Sequence, residues 1–161
     1  MPTPQDRLDA TDARLVQALT DDPRATVMAL SQRLGLARNT VQARLARLET
    51  GGFLAPFEAR VRPEALGYRL GAYMTVQVVQ RGLEEVAAAL AALPEVLEVT
   101  ALSGAADLLV RVVAVDADDL WRLTEQVLAL PGVQRTDTAL ALRRYVDHRI
   151  APLLERTAGQ D

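Results

Sequence analysis

The 161-residue sequence contains no cysteine, which excludes disulfides, thiolate metal sites and cysteine nucleophiles. It has a single histidine, His148, beside Asp147 and Arg149. One imidazole without a second histidine or a cysteine does not make an ordinary metal site, so neither metal nor cofactor is expected. Lysine is absent and all 18 basic residues are arginine, a bias of composition that carries no chemistry by itself. No apolar run approaches ~18 residues and the opening MPTPQDRLDA is polar. Neither a secretory leader nor a membrane span is therefore expected, and the expected location is the cytoplasm. The most informative scarcity is local. From Arg24 to Leu48 there are five arginines (Arg24, Arg33, Arg38, Arg44, Arg47) and no Asp or Glu, in a chain of net charge -3.

Residues 1–62 carry nine arginines against seven acids, a balance of +2, and residues 63–161 carry nine against fourteen, a balance of -5. Polyanion binding depends on local field, so the two parts have different partners. A domain of about half this length buries a marginal core, and association between chains is expected. The division read from the sequence is a first, net-basic domain with linker over 1–62, a second domain over 63–150, and a tail over 151–161.

Leu8-Asp9-Ala10-Thr11-Asp12 opens a first helix, with Asp9 or Thr11 as its cap, Asp12 near the positive end of the dipole, and Leu15, Val16 and Leu19 inward. Asp21-Asp22-Pro23 stops it and Thr26 caps a second helix, with Ala29 where the Glu of a capping box would sit. A third helix from about Ala37 to Glu49 ends at Gly51-Gly52. The spacing of Val27, Leu30 and Leu34, then Val41, Leu45 and Leu48, gives two short amphipathic helices meeting at a turn, the outline of a helix-turn-helix. At roughly 100° per residue, Asn39, Gln42, Ala43 and Ala46 lie opposite the buried stripe, flanked by Thr40 and Arg47. Asn and Gln can bond an adenine edge twice, Ala admits the backbone to a thymine methyl, and Arg neutralises phosphate. The expected base-reading set is Asn39, Thr40, Gln42 and Ala43, and the expected phosphate contacts are Arg24, Arg38, Arg44, Arg47 and Arg60. Phe53-Leu54 and Phe57–Val61 suggest a two-stranded wing. The plain alternative is a three-helix packing unit with a solvated arginine face.

After Leu66-Gly67 the pattern changes. Residues 68–80 alternate as a strand, Leu83 to Leu93 read as a helix ended by Pro94, and Val96–Leu102 and Asp107–Val115 read as strands joined through Ser103–Ala106. Asp116 caps a helix bearing Leu120, Trp121, Leu123, Val127 and Leu128, and a last strand runs from Val133 towards Tyr145. LPEVLEVTAL at 93–102 echoes LPGVQRTDTAL at 130–140. The order βαββαβ with this repeat predicts an α+β fold, a winged helix-turn-helix followed by a ferredoxin-like domain with both helices on one sheet face. A second copy of the sheet is the cheapest cover for the other. Trp121 is expected in the core or an interface, and the tail from Ile150 either packs Leu153 and Leu154 on a neighbour or frays.

Leu8-Asp9-x-x-Asp12, Arg24-x-Thr26, the run from Val41 through Arg44 and Arg47-Leu48-Glu49 to Gly52, Leu66-Gly67, Pro94-x-Val96, Gly104-x-x-Asp107 and Gly132-Val133 together resemble the Lrp/AsnC (feast/famine) family of transcription regulators over about 140 residues. The resemblance implies a sequence-specific regulator that binds double-stranded DNA, assembles as a dimer and often an octamer, and is modulated by a small molecule such as an amino acid. Effectors of the family sit near the glycine turn. Here that implies Ser103, Gly104 and Asp107, with Thr136 and Thr138 adding hydroxyls; the plain alternative is a Gly turn that only joins two strands. Two departures stand out: Ala37 where the family commonly starts the recognition helix with Ser, and Ser31 where it usually has Ala. An architectural protein that wraps DNA with little sequence choice is the runner-up. Haem-pathway decarboxylases resemble the family in fold but need histidines that this chain lacks, so no enzyme is expected.

Overall fold

The computed structural model describes residues 7–54, 61–79 and 82–159, which fall into two compact units: residues 7–54 with 146–159, and residues 61–79 with 82–145. Most of the second arm of the expected wing, with Arg60, lies outside the described residues, as does the end of the 68–80 strand.

The first unit holds α1 (Ala10–Asp21), α2 (Val27–Leu34), α3 (Arg38–Thr50) and, from the far end of the chain, α6 (Ala151–Ala158). Helix α1 starts in a reciprocal capping box: the Asp12 N–H donates to Asp9 Oδ1 at 2.7 Å and the Asp9 N–H to Asp12 Oδ2 at 3.1 Å. Thr26 caps α2, its Oγ1 accepting from the Ala29 N–H at 3.2 Å. Gly35 then takes a left-handed φ of 66°, which a Cβ would disfavour, and turns the chain into α3. Leu15, Leu30, Val41 and Leu48 are fully buried together with Ala13, so the periodic apolar stripes of the three helices meet as their spacing requires.

The C-terminal segment is helical from Ala151, with Pro152 in its first turn, and packs against α1 of the same chain; Leu154 joins the same core at 6% exposure while Leu153 stays 54% exposed.

The second unit runs β1 (Leu70–Val78), α4 (Leu83–Ala91), β2 (Val96–Ala101), β3 (Leu108–Ala114), α5 (Ala117–Leu128), β4 (Val133–Leu140). The four antiparallel strands lie in the order β2-β3-β1-β4, the ferredoxin-like arrangement. Ala72, Met74 and Val76 of β1 and Leu108, Val110 and Val112 of β3 face Val86 and Leu90 of α4 and Leu123 and Val127 of α5 in one core. The strand alternation puts Tyr73, Thr75 and Gln77, with Leu109, Arg111 and Val113, on the opposite face. Asp116 caps α5 by accepting from the Asp119 N–H at 2.9 Å.

One expectation changes here and another narrows. The last strand stops at Leu140 rather than near Tyr145, because its partner β1 begins at Leu70 and the ladder ends with Ala72 opposite Leu140 and the Ala141 N–H on the Gly71 carbonyl. Of the two places expected for Trp121, the core is excluded: it is 68% exposed, because the inward stripe of α5 is Leu120, Leu123 and Val127 and Trp121 falls off it. No described helix is long and apolar enough to cross a membrane.

Candidate functional site

Helix α3 presents the face its sequence pattern required. Arg38, Asn39, Thr40, Gln42, Ala43 and Ala46 are exposed, while Val41 and Leu48 are fully buried beneath them. A shallow open groove runs along this face, lined by Asn39, Thr40 and Ala43 of α3, by Arg44 and Arg47, and by Asp9 at the start of α1. The four residues expected to read bases therefore share one solvent-facing surface.

The arginines fall into two groups by their partners within the chain. Arg44 Nη1 donates to Asp9 Oδ2 and to Asp12 Oδ1, each at 2.7 Å, and Arg47 Nη2 donates to Asp12 Oδ2. Asp12 is fully buried and takes three donors, from Arg44, Arg47 and the Asp9 N–H, so its charge is compensated and both its oxygens are paired. Arg47 also lies over the Phe53 ring, 5.6 Å from its centroid. Burial pushes the Asp9 carboxyl up, but the hydrogen bond from Arg44, the Asp12 N–H and the Arg44 charge together hold it below its ordinary value. The same two carboxylates raise Arg44. Arg33 pairs with Asp21 at the surface. Of the five arginines in the acid-free stretch, Arg24 and Arg38 are exposed and have no carboxylate partner among the described residues. Arg44 and Arg47, expected on phosphate, are thus held by carboxylates of α1. Asp12, which the sequence placed only near the helix dipole, is the residue that sequence reasoning missed; the available signal was the pair of acids at 9 and 12 matching the pair of arginines at 44 and 47, both three apart.

The turn between α2 and α3 carries both departures from the family pattern. Ala37 is the N-cap of α3 and supplies no side-chain hydrogen bond. Ser31, on α2, compensates from the other side: its hydroxyl donates to the Leu36 carbonyl at 2.7 Å, while its own carbonyl accepts the Leu36 N–H at 3.1 Å. Leu36, the residue just before the cap, is thereby held at both its N–H and its carbonyl.

In the second unit, the Ser103–Asp107 turn is clasped to β1. The Asp107 N–H donates to the Val76 carbonyl at 3.0 Å, Asp107 Oδ2 accepts from the Val78 N–H at 2.8 Å, and Gln77 Nε2 donates to the Ala105 carbonyl at 2.8 Å. Gly104 has a φ of 150°. Ser103 and Gly104 are exposed. Thr136 and Thr138 are elsewhere: opposite Val76 and Met74 on β4, on the helix-covered face, with the Thr138 hydroxyl 3.4 Å from that of Thr124 on α5. Strand β1 separates them from the turn, roughly 10 Å across two strand spacings. A single chain does not bring the five expected effector residues together.

Residues 8–49 match the AsnC-type helix-turn-helix domain, and residues 71–151 match the Lrp/AsnC ligand binding domain. The HTH-type transcriptional regulator FL11 of Pyrococcus horikoshii is 31% identical over 146 residues, covering 91% of this chain and 97% of that protein. A proline dehydrogenase transcriptional activator of Rhizobium radiobacter is 34% identical over 142 residues, covering 86% and 91%. Among solved structures, AsnC of E. coli superposes with a TM-score of 0.81 at 22% identity over 91% of this chain and 99% of that one, a likeness of fold. A transcriptional regulator of Neisseria meningitidis in complex with L-methionine superposes with a TM-score of 0.77 at 27% identity and the same coverage. These relatives are regulators rather than enzymes, and with a helix-turn-helix and a ligand-binding domain matched in order along its length, this chain belongs to the Lrp/AsnC family of DNA-binding transcription regulators.

Proposed function

We propose that the chain is a sequence-specific regulator in which Asn39, Thr40, Gln42 and Ala43 read base edges in a major groove while Arg24 and Arg38 neutralise phosphates on either side. The single observation that carries this reading is the exposed amide-and-methyl face of α3, held outward by fully buried Val41 and Leu48. Arg60 belongs to the same phosphate set but lies outside the described residues. A homodimer places two such helices about one turn of DNA apart, so its site is pseudo-palindromic. The sheet face bearing Tyr73, Thr75, Leu109 and Arg111 is the surface on which a second copy packs, and dimers can associate further into an octamer. Its target being chromosomal DNA, the protein works in the cytoplasm.

We further propose modulation by a small molecule such as an amino acid. The L-methionine complex of the Neisseria relative supports that class of ligand. In the dimer or a higher assembly, the exposed Ser103-Gly104 backbone and the second carboxylate oxygen of Asp107 meet an amino acid's charged ends. Thr136 and Thr138 come from another strand or another copy. The test is selection of genomic fragments by the purified protein, with and without a pool of amino acids. The expected result is a pseudo-palindromic motif whose occupancy changes with one component of the pool. Extended, phased protection without a motif would favour the architectural, DNA-wrapping reading.

A further inference from the structure

We propose that Asp12 is the positioning residue of the DNA-binding face: it withholds Arg44 and Arg47 from phosphate, so that the helix-turn-helix contacts few phosphates and depends on base contacts for its affinity. The inference rests on the reading of α3 as the DNA-facing helix and adds to it a limit on how that helix uses its charge.

The sequence suggests a strongly cationic element; the fold removes most of that charge. Asp9 and Asp12 carry two negative charges and Arg44 and Arg47 two positive ones, and the four form a closed cluster with net charge zero. The cluster sits beside the base-reading residues, lining the same groove as Asn39, Thr40 and Ala43. Its carboxylate anchor is inaccessible: Asp12 has no exposed surface, whereas the Arg44 and Arg47 side chains are 27% and 39% exposed. A phosphate approaching the groove must therefore compete with a buried, two-helix carboxylate for the same guanidinium protons. Leaving Asp12 uncompensated in the interior costs far more than one solvent-exposed phosphate contact returns. Arg47 is further held by the Phe53 ring. The two arginines also sit one helical turn apart, at i and i+3 on α3, facing the capping box of α1, so their pairing fixes which side of α3 turns outward.

A purely structural role for the cluster and a charge-withholding role differ in salt dependence. Each phosphate neutralised contributes about 0.9 to the slope of log K against log salt. The test uses the full chain, a duplex recovered by selection and a scrambled duplex, with binding followed by fluorescence anisotropy across salt concentrations. Arg38→Ala, which removes an uncommitted cation, should flatten the slope by about 0.9. Arg47→Ala should leave the slope of the wild type unchanged. Asp12→Asn should release one or two arginines, steepen the slope by about 0.9 to 1.8, tighten binding to scrambled DNA and lower the ratio of selected to scrambled affinity. If Asp12→Asn does not fold, as judged by circular dichroism, the Arg47→Ala slope decides alone. A slope that flattens by about 0.9 in Arg47→Ala, or a folded Asp12→Asn with the wild-type slope, overturns the inference while leaving DNA binding intact. A wild type that binds neither duplex overturns the reading of α3 itself.

Discussion

Leu154→Ala tests whether the last helix of the chain is part of the DNA-binding unit. Leu154 is 6% exposed and shares a core with Leu15, Leu30, Val41 and Leu48, although more than a hundred residues separate it from them in sequence. Truncation removes about three carbons' worth of buried surface, roughly 2.4 kcal/mol at ~0.8 per methylene. A cavity adds to this only where the surroundings cannot collapse, and α6 is a short surface helix able to shift, which places the cost at the low end of the ~2–5 kcal/mol range for Leu→Ala. Eight residues are too few to hold a helix in water without packing, so a loss of ~2–3 kcal/mol is enough to undock and melt α6 altogether. The melting temperature of the helix-turn-helix should fall by roughly 10–20 °C, and hydrogen exchange in α1, on which α6 packs, should accelerate in step. Leu153→Ala, at a half-exposed neighbour, is the control and should change stability by less than about 0.5 kcal/mol. Unchanged α1 protection in Leu154→Ala would refute the reasoning, since it would mean that the three N-terminal helices are a complete unit without α6.

Ala37→Ser should restore an N-cap to α3 and stabilise the unit by about 1 kcal/mol, whereas Ser31→Ala should cost about 1 kcal/mol through loss of the Leu36 hydrogen bond; urea denaturation of each variant measures both. Because the Asp9 carboxyl is lower in the folded state than in the unfolded chain, its contribution is fully present above the unfolded value near pH 3.8 and is lost as pH falls through the folded value below it. Asp9→Asn should therefore flatten the acid limb of a stability profile recorded from pH 2 to 6 and leave its shape at higher pH unaltered. Gln42→Ala should change the selected sequence and cost ~1–3 kcal/mol of discrimination at one base pair. Equal losses on selected and scrambled duplexes would remove Gln42 from the base-reading set.

What could be read from the sequence was whatever depends on neighbours. The Asp9 cap of α1, the Thr26 and Asp116 caps, the alternation through β1 and the exposed face of α3 all arise within a few residues of chain, and the structure contains each of them. The pairing of Arg44 and Arg47 with Asp12 spans 32 and 35 residues and depends on how α3 crosses α1, which no local pattern encodes. The acid-free stretch therefore looked like free positive charge when three of its five arginines had partners outside it. Helix α6 was hidden for a related reason. Its single buried leucine gives too faint a period to separate a packed helix from a fraying end, and the residues that give it meaning lie at the other end of the chain. Among the effector residues, the turn was legible as a turn, but the register that sets Thr136 and Thr138 beside β1 rather than beside Asp107 follows from the strand order β2-β3-β1-β4.

The charge pairing also bears on how such a regulator is controlled. With Arg33, Arg44 and Arg47 committed to carboxylates, one helix-turn-helix brings Arg24 and Arg38 as its open cations from the arginine-rich stretch. With Arg60 that makes three proposed phosphate contacts per copy and a salt slope of about 2.7, so the charge-driven part of one copy's affinity is small. Beyond its base contacts, affinity then comes from joining copies, because a second tethered recognition helix binds at an effective concentration set by the assembly and multiplies the affinity of the first without any new kind of contact. A ligand that alters assembly in the proposed dimer or octamer thus has a large lever on DNA occupancy even if it never moves α3. Diluting the protein through its assembly transition should lower DNA affinity far more steeply than one-to-one binding allows. Raising the per-copy charge by Asp12→Asn should blunt that dependence, since each copy would hold DNA better alone. Occupancy that follows a simple one-site curve at every protein concentration would show that a single copy suffices, and the economy of phosphate contacts would then need another explanation.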